Sequence, residues 1–352
     1  MLKFALIGCG RIAKRHSELL GLKQIKGAEL AAVCDNVFDK AQKIGLLFEV
    51  PAYADMDEMM QNENIDVAVV LTPSGLHGKH VINLAKYGKD IIVEKPMALT
   101  LDDADKMIEV CDKNSCQLFI IKQNRFNVPV VKLREAHQAK RFGKLILGTV
   151  RVRWARHQQY YDQDAWRGTW AMDGGVLTNQ ASHHVDLLEW MMGDVESVFA
   201  HATTALADIE AEDTAVVSIK FKSGALGIIE ATTAARPRDL EGSISVLGEK
   251  GSVVIGGFAV NKMESWAFEE ELEGDHKVLE QFSVNPPNVY GFGHQAYYEH
   301  VVECISSGGK NLVDGLQGRK SLELINAIYE SVETRKEVFL SFKPDKCKLG
   351  QA

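Results

Sequence analysis

The run Leu2-Lys3-Phe4-Ala5-Leu6-Ile7-Gly8-Cys9-Gly10-Arg11-Ile12-Ala13 decides the fold of the first third of the chain. Leu2 to Ile7 is a short apolar stretch that reads as a first β-strand, and Arg11 to Leu20 carries helical spacing. Between them Gly8 permits a tight turn, Gly10 lets backbone approach a bound group closely, and Ala13 keeps the helix near the sheet. Unpaired N–H groups and the positive end of a helix favour negative charge, so a strand–glycine turn–helix unit is a seat for a pyrophosphate. Outside such a unit the same glycines would be a structural turn and nothing more.

Working outward, Glu29 to Cys34 reads as the second strand, and Val67 to Leu71 and Asp90 to Val93 as later ones. Helical patterns fall at Val37 to Leu47, Met56 to Gln61, His77 to Tyr87 and Leu101 to Lys113. Buried β-branched runs alternating with amphipathic helices imply an α/β, doubly wound parallel sheet. Gln117 to Lys122 reads as its last strand, which places the first domain at 1–122.

Beyond a helix at Pro129 to Gln138 the pattern changes. Leu145 to Trp154, Ser197 to Thr204, Asp213 to Phe221, Ala225 to Thr233, Ser243 to Gly248 and Gly251 to Ile255 are strands joined by short turns. Strands without intervening helices imply a large, mostly antiparallel open sheet in a second, α+β domain, 123–340. A helix at Asn179 to Met192 interrupts the run, and helices at Gln295 to Ser306 and Gly315 to Thr334 follow, the last ones able to return to the first domain. The tail from Pro344 reads as poorly ordered.

Bulk properties exclude several function classes. The 352 residues suffice for two domains, and 46% hydrophobic with 25% charged residues is ordinary for a soluble globular chain. A net charge of -8 argues against nucleic acid or an anionic membrane surface as partner. The six cysteines show no metal-ligand spacing, so no metal is expected, and their use as small buried residues suits a reducing cytosol. With no signal peptide and no apolar run near the roughly 20 residues of a membrane span, the expected location is cytoplasmic.

Asp35 follows the second strand, 25 positions after Gly10. A carboxylate there can accept hydrogen bonds from ribose hydroxyls and repels a 2′-phosphate, and Asn36 follows instead of Arg or Lys, so NAD is expected over NADP. The alternative for Asp35 is a helix N-cap. Thr72-Pro73-Ser74 ends another parallel strand, where ligands lie in such sheets, with His77 just beyond. In Asn179-Gln180-Ala181-Ser182-His183-His184-Val185-Asp186, the residues Asn179, His183 and Asp186 stand at i, i+4, i+7 and would share one helical face. Removing hydride from an alcohol carbon needs a group that takes the hydroxyl proton, and a histidine near neutral pKa suits it. Four arginines (Arg151, Arg153, Arg156, Arg167) and the aromatics Trp154, Tyr160, Tyr161, Trp166 and Trp170 then suggest forks for phosphate or carboxylate and faces for a base or sugar. Each could equally be solvated strand or core.

At Glu94-Lys95-Pro96 the chain resembles the glucose-fructose oxidoreductase/inositol dehydrogenase (Gfo/Idh/MocA) family over nearly its whole length. The resemblance implies that Lys95 hydrogen-bonds the reacting hydroxyl, with Glu94 and Pro96 fixing its position, and that Lys95 and His183 are the catalytic pair. The family carries an Asp and a His at i, i+4, whereas this chain has Asn179, which would orient substrate instead. Thr72-Pro73-Ser74-Gly75-Leu76-His77, Lys122-Gln123-Asn124-Arg125, Tyr160-Tyr161, Trp166-Arg167-Gly168-Thr169-Trp170, Asn179-Gln180-Ala181-Ser182-His183, Leu240-Glu241-Gly242-Ser243-Ile244 and Tyr290-Gly291-Phe292-Gly293-His294 look like one branch, the UDP-N-acetylglucosaminuronate 3-dehydrogenases. That likeness implies a UDP-sugar substrate oxidised at C3, in surface polysaccharide biosynthesis. It adds Arg11, Ile12, Glu94, Gln123, Trp166 and Arg167 to the cofactor contacts, and Arg125, Arg156, Tyr160, Tyr161 and Gln180 to the substrate contacts. It further implies a homotetramer and 2-oxoglutarate as a candidate reoxidant. UDP-N-acetylglucosamine, a free polyol such as inositol, and a non-catalytic dinucleotide-binding regulator remain as alternatives.

Overall fold

Strand β1 (Leu2–Ile7) is buried over its last four residues, as its apolar run requires. The computed structural model describes residues 1–283, 293–309, 311–340 and 347–350. The chain divides into two units, Met1–Ile121 with His294–Leu322, and Lys122–Gly293 with Glu323–Ala352.

In the first unit β1 leads into α1 (Ala13–Gly21), β2 (Ala28–Cys34), α2 (Phe38–Phe48), β3 (Ala52–Tyr53) and α3 (Met56–Asn62). Then come β4 (Val67–Val70), α4 (His77–Ala85), β5 (Asp90–Val93), α5 (Leu101–Lys113) and β6 (Leu118–Ile120). All six strands run parallel in the order β3-β2-β1-β4-β5-β6. The order reverses between β1 and β4, and in open sheets of this kind ligands lie beyond the carboxyl ends of the strands at that point. Burial on both faces explains the unbroken apolar runs, such as Val67-Ala68-Val69-Val70. Helices α3 and α5 open on side-chain caps, Asp55 accepting from Glu58 N–H at 2.9 Å and Thr100 from Asp103 N–H at 3.2 Å. No side chain caps α1, whose first N–H, that of Ala13, turns back to Gly10 O at 3.1 Å.

The second unit holds α6 (Val128–Gln138), β7 (Leu145–Arg153), α7 (Gln158–Tyr161), α8 (Ser182–Met192), β8 (Val195–Thr203), β9 (Thr214–Phe221) and β10 (Leu226–Thr232). After these come β11 (Glu241–Gly248), β12 (Gly251–Gly256), β13 (Lys262–Phe268) and α9 (Val278–Gln281). Helix α10 (Gly293–Ser307) belongs to the first unit from His294 on, where Tyr298 meets Phe4 edge-on at 5.6 Å between ring centres. Helix α11 (Gly315–Thr334) is shared by the two units, and β14 (Val338–Phe339) belongs to the second. The sheet order is β13-β12-β11-β7-β10-β9-β8-β14, antiparallel except for the β7–β10 pair. Helix α8 covers one face so closely that a Cβ at Gly148 would stand 2.6 Å from Met192 and 2.7 Å from Leu188. The other face carries Arg151, Arg153, Glu230 and Glu241 beside exposed Leu226 and Ile228.

Three differences from the sequence expectation have physical causes. Short β3 and the edge strands β13 and β14 lack an apolar run or alternation long enough to read. Helix α8 begins at Ser182, so Asn179 precedes it and does not share a helical face with His183. The tail is held where it is described: Cys347 and Leu349 are buried, and Gly350 N–H donates to Trp170 O at 2.6 Å. Residues 344–346 and Tyr290, Gly291 and Phe292 lie outside the described residues. Among the described residues no helix is long and apolar enough to cross a membrane.

Candidate active site

At the carboxyl end of β1, Gly8 adopts φ +99°, and a Cβ there would lie 2.8 Å from Leu71 and Thr72 backbone atoms. Only glycine tolerates both that conformation and that approach. Nothing stands within 4 Å of where a Gly10 Cβ would be, so the space before the uncapped end of α1 is open. Ala13 is fully buried behind it, Ile12 half-buried, and Arg11 exposed. Asp35 Oδ2 accepts from Cys9 N–H at 2.7 Å, and Oδ1 from Val37 N–H at 2.8 Å. Asp35 therefore ties the glycine turn to the end of β2 instead of capping α2, and a carboxylate with two donors still has lone pairs for ribose hydroxyls. This donor and acceptor set fits a dinucleotide.

Thr72, Pro73 and Ser74 continue from β4 beside Gly8, at the reversal of strand order. His77 is among the expected cofactor contacts. It is buried, with Nδ1 2.7 Å from Pro96 O and Nε2 2.8 Å from Thr72 O, so both ring nitrogens face main-chain carbonyls. Burial pushes its pKa down against the pull of those carbonyls. His77 braces two loops.

Glu94 is placed to position Lys95. Its Oε2 accepts from Lys95 N–H at 2.9 Å, while Oε1 lies 3.2 Å from His16 Nε2 and 3.8 Å from His294 Nε2. His16 Nδ1 meets the Tyr298 hydroxyl at 2.7 Å, which completes a chain Tyr298–His16–Glu94–Lys95 within the first unit. Burial alone would raise the Glu94 carboxyl, but hydrogen bonds from His16 and His294 outweigh it and hold it well below the usual range. Burial also lowers His16. Among the described residues, His16, Glu94 and His294 are the one group with a metal-ligating donor set, and the His16–Glu94 separation is that of a hydrogen bond. Sequence reading missed His16, whose only signal is its place on the buried side of α1.

In the second unit, His183 Nε2 lies 2.8 Å from Gln123 Nε2. His184 points to the sheet, its ring 5.8 Å from Trp154, and burial lowers it to about 4. Arg125 is among the expected substrate contacts. Its Nε and Nη2 each donate to Asp186 at 2.8 Å, and the guanidinium stacks 4.8 Å from Trp190, so it is spent inside the unit. Lys122 Nζ adds a third contact to Asp186 at 3.1 Å. Asn179 donates to Asp173 Oδ1 at 2.6 Å from its turn ahead of α8. Tyr161 is core, its hydroxyl 2.9 Å from Thr233 Oγ1 and its pKa pushed by burial to about 12.

The four arginines all face carboxylates. Arg153 reaches Glu230 at 2.6 and 2.8 Å, and Arg151 lies 3.8 Å from Glu230 and 3.6 Å from Glu241, both on the sheet face away from α8. Arg156 pairs with Asp239 at 3.0 Å, and Arg167 with Asp164 at 3.0 Å. Arg167 also donates to the Tyr160 hydroxyl at 2.9 Å and stacks on Tyr160 and Trp166, both at 4.7 Å. Gln180 donates to the same hydroxyl at 3.3 Å. Tyr160, Arg167, Trp166 and Gln180 thus form one cluster just ahead of α8.

Residues 2–122 match the NAD-binding Rossmann-fold model of the Gfo/Idh/MocA oxidoreductases, and residues 135–340 match that family's C-terminal alpha/beta domain. The chain belongs to the Gfo/Idh/MocA family. Among solved structures, the Gfo/Idh/MocA chain here is similar to the WlbA dehydrogenase from Bordetella pertussis in complex with NADH and UDP-GlcNAcA. The two are 40% identical with TM-score 0.92, over 96% of this chain and 97% of that one. It is also similar to WlbA from Chromobacterium violaceum, solved with the same two ligands, at 41% identity and TM-score 0.90 over 96% and 95%. Myo-inositol 2-dehydrogenase of Thermotoga maritima is 31% identical over 96% of this chain and 98% of that protein. The chain is an NAD-dependent oxidoreductase.

Proposed function

We propose that the enzyme oxidises the C3 hydroxyl of UDP-2-acetamido-2-deoxy-glucuronate to the 3-keto sugar. The observation that carries this reading is the 40% identity and 0.92 TM-score to a dehydrogenase solved with NADH and UDP-GlcNAcA. NAD, when bound, would supply the hydride acceptor. Gly8, Gly10 and the open start of α1 seat its pyrophosphate, and Asp35 takes the ribose hydroxyls. Thr72, Pro73 and Ser74 border the same seat. Lys95, steadied through Glu94, hydrogen-bonds the reacting hydroxyl and stabilises negative charge as it develops on oxygen. His183 takes the hydroxyl proton once substrate displaces the Gln123 amide from its Nε2. Asn179, Gln180 and Tyr160 orient the sugar, and Trp166 and Arg167 border the cofactor.

The expected setting is cytoplasmic synthesis of surface polysaccharide precursors by a homotetramer, with 2-oxoglutarate as reoxidant. A second reading, a polyol dehydrogenase, gains from the 31% identity to myo-inositol 2-dehydrogenase and from the pairing of all four arginines with carboxylates. NADH absorbance decides between them, with purified enzyme and NAD given UDP-N-acetylglucosaminuronate, UDP-N-acetylglucosamine or myo-inositol, each with and without 2-oxoglutarate. Turnover with the uronate alone is expected. Turnover with inositol alone would replace the proposal by the second reading, and turnover with UDP-N-acetylglucosamine alone would remove the carboxylate from it.

A further inference from the structure

Pairing of Arg125, Arg151, Arg153, Arg156 and Arg167 with carboxylates leaves open what would hold a substrate's phosphates. Two arginines that follow β10, in Ala234-Ala235-Arg236-Pro237-Arg238-Asp239, are placed differently. Among the described residues Arg236 reaches main-chain carbonyls alone, those of Thr233, Ala235 and Arg156. Arg238 is exposed and has no ion-pair or hydrogen-bond partner among the described residues.

Arg238 lines a groove of about 530 Å³ with Arg156, His157, Pro237, Asp239 and Phe258, a volume in the range of small-molecule sites. The groove lies where β7 and β10, parallel neighbours, end side by side at Arg153 and Thr232. Its lining is positive within a chain of net -8, with Arg156 and Arg238 against a single carboxylate, Asp239. That carboxylate is already engaged by Ala155 N–H at 2.7 Å and Arg156 at 3.0 Å. Phe258 supplies a half-buried aromatic wall, and its carbonyl is fixed by Trp154 Nε1 at 3.0 Å. From the groove, Arg156 leans over Trp154 and Tyr160 at 5.2 and 5.5 Å, and the Tyr160 hydroxyl is shared by Arg167 and Gln180. A chain of contacts inside the second unit therefore runs from the groove to the turn that leads into α8.

We propose that this groove binds the nucleoside diphosphate end of the substrate, with Arg238 on the phosphates and Phe258 against the pyrimidine. The assignment rests on the UDP-sugar reading above. A guanidinium on a phosphate is a charge-assisted contact, and stacking on an aromatic wall tolerates the base's polar edge.

Calorimetric titration of the NAD-loaded full-length enzyme with UDP tests it, alongside KM for UDP-N-acetylglucosaminuronate. Arg238→Ala is expected to weaken UDP binding about tenfold and raise KM comparably, with NAD affinity kept as the check on folding. Asp239→Asn, which removes the groove's one negative charge while keeping an acceptor for Ala155, is expected to tighten UDP about threefold. A change of that sign is not what damage to the loop would produce. If the wild type turns over the UDP-sugar and both variants bind UDP as it does, the groove is refuted and the enzymatic reading stands. If the wild type neither binds UDP nor oxidises either UDP-sugar, both fall together.

Discussion

Asp186 in the second unit and Glu94 in the first are both buried carboxylates with two basic neighbours. The neighbours differ in kind. Asp186 faces a lysine and an arginine, which overcome the cost of burial and hold it at about 2. Glu94 faces two histidines, which hold it low through hydrogen bonds. Glu212, in the second unit, is a third case, with no cation beside it among the described residues. Burial pushes it up to about 7, although Leu177 N–H and the Tyr329 hydroxyl both donate to its Oε1 at 2.9 Å. Burial alone does not set the charge of these groups; the partner does. The lysine and arginine pairs build the second unit's frame, whereas the carboxylate held by histidines sits against the candidate catalytic lysine.

The sharpest way to break this comparison is Asp186→Asn, which leaves Lys122 and Arg125 buried without a counter-charge. A stability loss of about 3–5 kcal/mol is expected in denaturant titrations. The folded carboxyl is depressed, so its contribution is present above the ordinary Asp range and is lost only as pH falls through about 2. The loss should therefore be flat from about pH 5 to 9, and a loss confined to part of that window would show that the pair titrates.

Glu212 should behave in the opposite sense. Its folded pKa is raised, so its stabilisation is full below about 4.5 and disappears as pH rises through about 7. Thermal unfolding of Glu212→Gln should gain up to about 3 kcal/mol over wild type at pH 8, with little difference at pH 5. Equal curves at the two pH values would mean that Glu212 is already ionised in the fold.

The smallest expected effect is also the most specific. Glu94→Gln keeps an acceptor for His16 but loses the charge opposite the two histidines. A fall in kcat of about tenfold is expected from looser placement of Lys95, with NAD affinity unchanged. Unchanged kcat would separate the Tyr298–His16–Glu94 chain from the chemistry.

Much of the fold was legible because the responsible signals are local. Asp90–Val93 and Leu101–Lys113 have the limits their residues suggest, one an apolar run after a charged start, the other capped by Thr100. Gly8, Gly10 and Asp35 were legible for the same reason, since a turn and a strand end impose their residue types. Arg125 and Arg153 were not. An arginine's chemistry is the same in a substrate fork and in an ion pair, and Asp186 and Glu230 stand 61 and 77 positions away. Asn179 failed through a helix boundary: no capping signal marks the start of α8, whose N-cap, Ala181, offers no side-chain bond. His16 needed both Glu94 and Tyr298, which only the folded sheet and α10 bring to it.

The division of the first unit into Met1–Ile121 and His294–Leu322 has a consequence in time. Phe4 and His16 are covered by Tyr298 of α10, which leaves the ribosome only after nearly all of the second unit. At synthesis rates of about 5–20 residues per second, that interval is on the order of ten to thirty seconds. For that time the nascent nucleotide-binding sheet exists with the flank at Phe4 and His16 bare, and α10 is the piece that closes it last.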